Sequence, residues 1–80
     1  MKKTADKIKS TNILRVASQI GASVRNGSGG HFYILNFPNL RPCPIAESTN
    51  AERMIAPWIA RATGRTNREV YQALRNGYWN

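Results

Sequence analysis

The chain has 80 residues, enough for one small domain, and its 12 Lys and Arg against four Asp and Glu give a net charge of +8. A single cysteine excludes an internal disulfide, and one Cys with one His cannot complete a structural zinc site, so we expect no metal and no cofactor. No apolar run approaches the ~18 residues of a membrane span. These features predict a cytoplasmic protein with a polyanionic partner and no membrane contact.

The lysines are concentrated at the N-terminus. All four lie within the first nine residues: Lys2, Lys3, Lys7 and Lys9. We interpret residues 1–10 as a basic N-terminal arm that contacts phosphates, and residues 11–80 as a single α+β nucleic-acid-binding domain. A solvated tail that only aids solubility is the alternative, and the sequence leaves both open.

A first helix is predicted after the arm. Its apolar residues recur with the helical period: Ile13, Val16, Ala17 and Ile20. Ser10, Thr11 or Asn12 can cap its start, and Gly21 suits the left-handed conformation that ends a helix.

The middle of the chain changes to the pattern of strands. Residues 22–26 and the aromatic, β-branched run of residues 31–36 flank the Gly/Ser segment of residues 27–30, which predicts a hairpin. Residues 41–46 predict a third strand. Because that segment contains two prolines, which cannot donate ladder hydrogen bonds, we expect it to be an edge strand or an irregular one.

Helical periodicity returns in the last third of the chain. Two pairs have capping-box spacing: Thr49 with Glu52, and Thr66 with Glu69. Pro57 inside the first helical pattern must either kink it or open a new helix at its first turn. Gly64 and Gly77 end the two helices. The predicted fold is α+β: an N-terminal helix, a small antiparallel sheet of two or three strands, and two C-terminal helices.

His31 is the candidate catalytic residue. It is the only histidine, and it follows the Gly/Ser segment, where a backbone without Cβ atoms can approach a phosphate closely. A histidine there can take the proton of an RNA 2′-hydroxyl or give one to a leaving 5′-oxygen. In the alternative, residues 27–30 are a hairpin tip and His31 is only the first residue of a strand.

Residues 13–74 resemble the HicA family of small bacterial and phage toxins, whose fold is similar to a double-stranded-RNA-binding domain with α-β-β-β-α order. The resemblance rests on a helix that closes at Gly21, on Gly29-Gly30-His31 in place of a Gly-Ser-His motif, and on Pro44-Ile45 in the third strand. It implies that His31 is catalytic in a metal-independent ribonuclease, an mRNA interferase, with an antitoxin protein as partner.

In this hypothesis RNA is bound around the histidine. Gly29 and Gly30 help to form a cradle for a phosphate, and the lysines of the arm bind phosphates together with Arg25 and Arg41. An arginine at the scissile phosphate stabilises the charge that develops in the transition state.

A competing resemblance covers residues 57–74, which look like a helix-turn-helix. Gly64 makes the turn, and Val70 fills the gap between the helices. The chain is then a DNA-binding regulator of phage or plasmid type, and its second helix presents to duplex DNA the polar residues Arg65, Asn67, Arg68, Gln72 and Arg75.

A third hypothesis is a non-enzymatic protein that inhibits a partner with the positive face of the same fold. An exposed apolar patch would distinguish it from the nucleic-acid-binding hypotheses. The sequence gives no indication of the oligomeric state.

Overall fold

The elements of the computed structural model, which describes residues 2–79, follow the predicted order. Helix α1 (Ser10–Gln19) precedes the strands β1 (Ser23–Asn26), β2 (His31–Asn36) and β3 (Cys43–Ala46). A π-helical turn (Ala51–Ile55) leads into α2 (Ala56–Thr63), and α3 (Asn67–Asn76) follows. The predicted α+β class, with one N-terminal helix, a small antiparallel sheet and two C-terminal helices, is confirmed.

The strands form an antiparallel meander in the order β1-β2-β3, so the proline-containing strand lies at an edge as expected. Pro44 pairs with Ile34 there, at a position where a missing N–H group is tolerated. The pairing is irregular between His31 and Tyr33, so that His31 lies opposite Ala46. One extra residue in β2 at this point is a β-bulge.

One face of the sheet packs on the helices. The sheet contributes Leu35, Cys43 and Ile45 to the core, and the helical elements contribute Ile13, Val16, Ala17, Ile55, Ile59, Val70 and Leu74. Burial of each large side chain stabilises the fold by roughly 1.5–3 kcal/mol relative to exposure. Burial also raises the pKa of the Cys43 thiol to about 11, so this cysteine is a neutral core residue at pH 7.

Helix α1 begins without a side-chain cap. The residue before it is Lys9, whose side chain makes no capping hydrogen bond, so the prediction of a cap by Ser10, Thr11 or Asn12 is wrong. The N–H of Ser10 instead donates to the carbonyl oxygen of Lys2 at 2.9 Å. The N-terminal segment thus supplies an acceptor that the sequence pattern assigned to a side chain.

The predicted capping box of Thr49 and Glu52 is also wrong. The Thr49 hydroxyl accepts a hydrogen bond from the N–H of Ala46 at 2.9 Å, which closes the turn after β3. The residue that caps the π-helical turn is Asn50, whose side-chain oxygen accepts from the N–H of Arg53 at 3.0 Å.

The remaining helix boundaries agree with the sequence. Pro57 lies in the first turn of α2, where its missing N–H is no loss, and Gly64 ends α2 with φ of 77°. Thr66 and Glu69 form the predicted capping box at the start of α3. Its hydrogen bonds, first the one from the backbone N–H of Thr66, hold the pKa of the Glu69 carboxyl below its ordinary value.

The segment predicted as an arm packs on the domain. Thr4 and Ile8 are only 3% and 5% exposed, whereas the lysines of the segment are exposed. The Asp6 carboxylate accepts hydrogen bonds from the backbone N–H groups of Ala51 at 2.9 Å and Glu52 at 3.1 Å. It therefore satisfies free amides at the start of the π-helical turn, 45 residues away in the chain.

We predict that Asp6→Asn lowers the free energy of unfolding by about 1 kcal/mol at pH 7, because the helix start loses a charged acceptor. The matched control is Glu47→Gln, since Glu47 is exposed. Urea denaturation of both variants measures the effect, and equal stability of Asp6→Asn and wild type at pH 7 would contradict it.

The same carboxylate predicts a pH dependence. Partial burial by itself raises the pKa of Asp6, but the hydrogen bonds from Thr4, Ala51 and Glu52 outweigh it, and the pKa lies below its ordinary value. The stabilisation is therefore present at neutral pH and disappears as the pH falls through the lowered pKa. The stability difference between wild type and Asp6→Asn should narrow below about pH 4.

Candidate nucleic-acid interface

The hairpin between β1 and β2 ends in a two-residue turn made by Gly29 and Gly30. The N–H of His31 donates to the carbonyl oxygen of Ser28 at 3.3 Å, and Gly29 has a φ of 64°, a conformation that favours glycine. Within residues 2–79, no backbone hydrogen bond uses the N–H of Gly29 or Gly30. These amides are available to an anionic oxygen.

His31 lies at the start of β2 and is exposed. Because it pairs with Ala46, it shares a face of the sheet with Ile34 and Pro44, opposite the face that packs on the helices. Arg25 pairs with Ile34 and belongs to the same face. Since Ile34 is three residues from His31 along β2, Arg25 and His31 are about 10 Å apart in the strand direction. Both side chains can therefore reach one nucleic-acid strand that crosses this face.

Lysines of the N-terminal segment lie at the same end of the sheet. The Lys2 ammonium is 5.1 Å from the ring centroid of Phe32, the residue after His31. A shallow depression here is lined by Lys2, Lys3, Thr4, Ala5, Lys7, Phe32 and Glu47. We call the group of Lys2, Lys3, Lys7, residues 28–30, His31 and Phe32 the hairpin–arm surface.

Two predicted phosphate contacts lie elsewhere. About 13 Å of strand separates His31 from Leu35, and Arg41 lies beyond that end of the sheet, before β3. The carbonyl oxygen of Arg41 accepts a 2.6 Å hydrogen bond from the Trp58 indole. Lys9 faces α3 and lines a second depression. The structure therefore brings Arg41 and Lys9 to other parts of the molecule than His31.

The residues of the helix-turn-helix hypothesis are all exposed: Arg65, Asn67, Arg68, Gln72 and Arg75. Three of them, Arg68, Gln72 and Arg75, recur with helical spacing and form one stripe on α3. Arg65 is engaged within the protein, because its guanidinium lies 3.3 Å from a Glu69 carboxylate oxygen and 5.7 Å from the Trp79 ring centroid.

The two basic regions are continuous. Lys7 lines both the depression beside Phe32 and a neighbouring one that also includes Lys9 and Arg75. Arg75 in turn lines a depression with Arg68 on α3. A band of cations therefore runs from the hairpin across the N-terminal segment to α3.

Cations outnumber the acidic side chains along this band, where Glu47 lines the depression beside Phe32 and Glu52 lines the one on α3. Within residues 2–79 one ion pair is formed, between Arg65 and Glu69, and all 12 Lys and Arg lie in that range. The Asp6 carboxylate is turned to backbone amides. Unpaired cations at this density attract a polyanion along the whole band.

Exposed large apolar side chains are scattered over different elements. Val24 is on β1, Met54 in the π-helical turn and Tyr78 after α3, with exposed fractions of 38%, 56% and 48%. Among residues 2–79, no three His, Cys, Asp or Glu side chains are grouped as they would be to hold a metal ion. None of the helices in this range has the length and apolar character needed to cross a membrane.

Sequence reasoning missed two features of the interface. The cation–π interaction of Lys2 with Phe32 depends on how the N-terminal segment folds back, which no local pattern encodes. The cleft between α3 and Trp79 forms where the backbone N–H of Trp79 donates a hydrogen bond to the Gln19 side chain at 2.6 Å. The only sequence signal for either feature was the presence of aromatic residues, Phe32 and Trp79, in a strongly basic chain.

The comparisons with known proteins identify no relative: no family model, no curated protein and no solved structure matches the chain.

The hairpin tip gives a direct structural prediction. A Cβ atom added at Gly27 would lie 2.5 Å from the His31 carbonyl oxygen, whereas one added at Gly30 meets nothing within 4 Å. Gly27→Ala should therefore displace His31 and cost about 1–3 kcal/mol, while Gly30→Ser should stay within about 0.5 kcal/mol of wild type. Thermal unfolding and the NMR shifts of the His31 ring measure both. Equal effects of the two substitutions would contradict the hairpin geometry.

Proposed function

We propose that this protein is a small RNA-binding ribonuclease of the HicA type, in which His31 transfers the proton and the hairpin–arm surface holds the RNA. The observation that carries the proposal is one exposed histidine that directly follows the free backbone amides of Gly29 and Gly30 and directly precedes Phe32, which lines the depression with the lysines. Proton transfer and phosphate binding are thereby available at one end of the sheet.

The reaction uses the 2′-hydroxyl of the RNA as the nucleophile. His31 removes its proton, the 2′-oxygen attacks the adjacent phosphorus, and the bond from phosphorus to the 5′-oxygen breaks. The leaving 5′-oxygen takes a proton from a water molecule, and the protonated His31 returns its proton to the hydroxide so formed. The products carry a 2′,3′-cyclic phosphate and a 5′-hydroxyl. Free amides of the hairpin turn and the Arg25 guanidinium favour the negative charge that develops on the phosphate oxygens.

RNA is preferred to DNA as the partner because this chemistry requires the 2′-hydroxyl. The exposed stripe on α3 supports the helix-turn-helix hypothesis, but that hypothesis gives no role to His31 or to the free amides of the hairpin turn. A HicA-type toxin is neutralised by an antitoxin, and such a partner would cover the hairpin–arm surface. The scattered exposed apolar residues favour a charged partner over a hydrophobic one.

The central test is RNA cleavage by purified wild type and His31→Ala in the presence of EDTA. Removal of the proton-transfer group should reduce the cleavage rate by about 10²–10⁴-fold, while RNA affinity stays close to that of wild type. A substrate with a single 2′-deoxy position at the cleavage site should resist the wild type. Unchanged cleavage by His31→Ala would falsify the proposed catalytic role.

Binding is tested separately from cleavage in the His31→Ala background. Replacing Lys2, Lys3 and Lys7 together by Gln should weaken the binding of single-stranded RNA and reduce the slope of log K against log salt by about 0.7 for each phosphate that the variant no longer neutralises. Arg61→Gln is the control, because Arg61 is exposed on α2, outside the cation band. If the lysine variant binds RNA with the same salt slope as Arg61→Gln, the RNA does not lie on this surface.

A further inference from the structure

A cleft lies at the far end of the cation band, between α3 and the chain that follows it. Its lining combines an indole with charged and amide side chains: Arg65, Arg68, Glu69, Gln72, Ala73, Asn76 and Trp79. Its volume of about 330 Å³ is within the range of small-ligand sites. His31 plays no part in it.

The aromatic wall of this cleft is held in place. The backbone N–H of Trp79 donates to the side-chain oxygen of Gln19, the last residue of α1, at 2.6 Å and so ties the backbone at Trp79 to that helix. The indole is half-buried and packs against the core, so only part of the ring is open to a ligand. A fixed, partly exposed indole is a surface on which a planar group can stack.

The opposite side of the cleft carries a second planar group. The Arg65 guanidinium lies 5.7 Å from the Trp79 ring centroid. A nucleobase between them needs about 3.5 Å to each neighbour, so the two groups must separate by roughly 1.3 Å more. The ion pair that restrains Arg65 is exposed at both side chains and therefore contributes little. The movement also breaks the present cation–π contact of Arg65 with Trp79, which stacking of the base on the indole replaces.

The floor of the cleft supplies polar groups at helical spacing. Gln72 and Asn76 are one turn apart on α3, and each amide offers both a donor and an acceptor to the edge of a base. Arg68, one turn before Gln72, is placed to bind the phosphate of the same nucleotide. Ala73 leaves room between them because its side chain is small.

We propose that this cleft binds one unpaired nucleotide, with its base between Trp79 and Arg65, its base edge on Gln72 and Asn76, and its phosphate on Arg68. The nucleotide is either free or part of a single strand, and the two sources share this chemistry. A base within a duplex is stacked on its neighbours and cannot enter the space between Trp79 and Arg65. The site goes beyond the proposed ribonuclease function, because it does not require cleavage at His31.

The indole N–H signals of the two tryptophans provide the test. The full chain is titrated with each of the four ribonucleoside monophosphates, with inorganic phosphate, with a single-stranded oligonucleotide and with the corresponding duplex, and both signals are followed by NMR. Trp58 is the internal control, because its Nε1 is bonded to the Arg41 carbonyl oxygen and lies outside the cleft. We expect a saturable shift of the Trp79 signal with nucleotide or single strand, and none with inorganic phosphate.

Variants assign the binding to the cleft, with affinities measured by calorimetry. Trp79→Leu should weaken binding by about tenfold or more, since it removes base stacking, and Trp79→Phe should retain most of the affinity. Arg68→Gln and Gln72→Ala, both at exposed positions, should weaken it while the protein stays folded. Arg61→Gln, exposed on α2 and outside the cleft, should bind mononucleotides as wild type does.

Saturation by mononucleotides would identify a free nucleotide as sufficient, and saturation by the oligonucleotide alone would identify a strand; both support the proposal. It is overturned if neither ligand shifts the Trp79 signal, or if inorganic phosphate produces the same shift. It is also overturned if the duplex binds with the same dependence on Trp79 and Arg68, because that result assigns α3 to duplex recognition.

Discussion

The Asp6 carboxylate joins three parts of the molecule, and the position of the cation band depends on it. It accepts hydrogen bonds from the amides of Ala51 and Glu52, from the Thr4 hydroxyl, and from the Tyr71 hydroxyl on α3 at 3.3 Å. These hydrogen bonds fix the N-terminal segment across the start of the π-helical turn. They act together with the burial of Thr4 and Ile8 and with the hydrogen bond from the Ala5 N–H to the Thr49 carbonyl oxygen at 2.8 Å, so the lysines of the segment are presented from an ordered backbone.

The β1–β2 hairpin imposes a second constraint, on the orientation of His31 and Phe32. A two-residue glycine turn and a bulge in β2 together orient His31 away from the core and keep Phe32 against it. The same segment therefore supplies a residue packed on the core, a support for the Lys2 ammonium and an exposed histidine. In a chain of 80 residues most positions are needed for the fold, so a single short segment serves several purposes.

Local chemistry explains which elements were predictable from sequence. The apolar period of α1, the glycines that end the helices, and the box of Thr66 with Glu69 act within a few residues and were predicted correctly. The caps of α1 and of the helical segment after Thr49 were not. After Thr49 a local cap exists, but it is the neighbouring Asn50. The other acceptors are the Lys2 carbonyl oxygen, which serves Ser10, and the Asp6 carboxylate, which serves Ala51 from 45 residues away. Long-range partners of this kind leave no mark on a local pattern.

The candidate site also contains a part that could be predicted from local sequence and a part that could not. His31 and its glycines are contiguous in the chain and could be identified together, whereas Arg41 was assigned to the site by charge alone and lies at the other end of the sheet. The Trp79 cleft involves a hydrogen bond to Gln19, 60 residues earlier in the chain, so no local sequence pattern could predict it. Charge indicates the class of partner, but only the fold selects which cations act together.

The most direct test of this account is an NMR titration of isotopically labelled His31→Ala protein with uncleaved single-stranded RNA. We predict shifts at the amides of Gly29, Gly30 and Phe32 and along residues 2–7, because the hairpin–arm surface contacts the phosphates. Unshifted signals throughout these residues at saturating RNA would contradict the account.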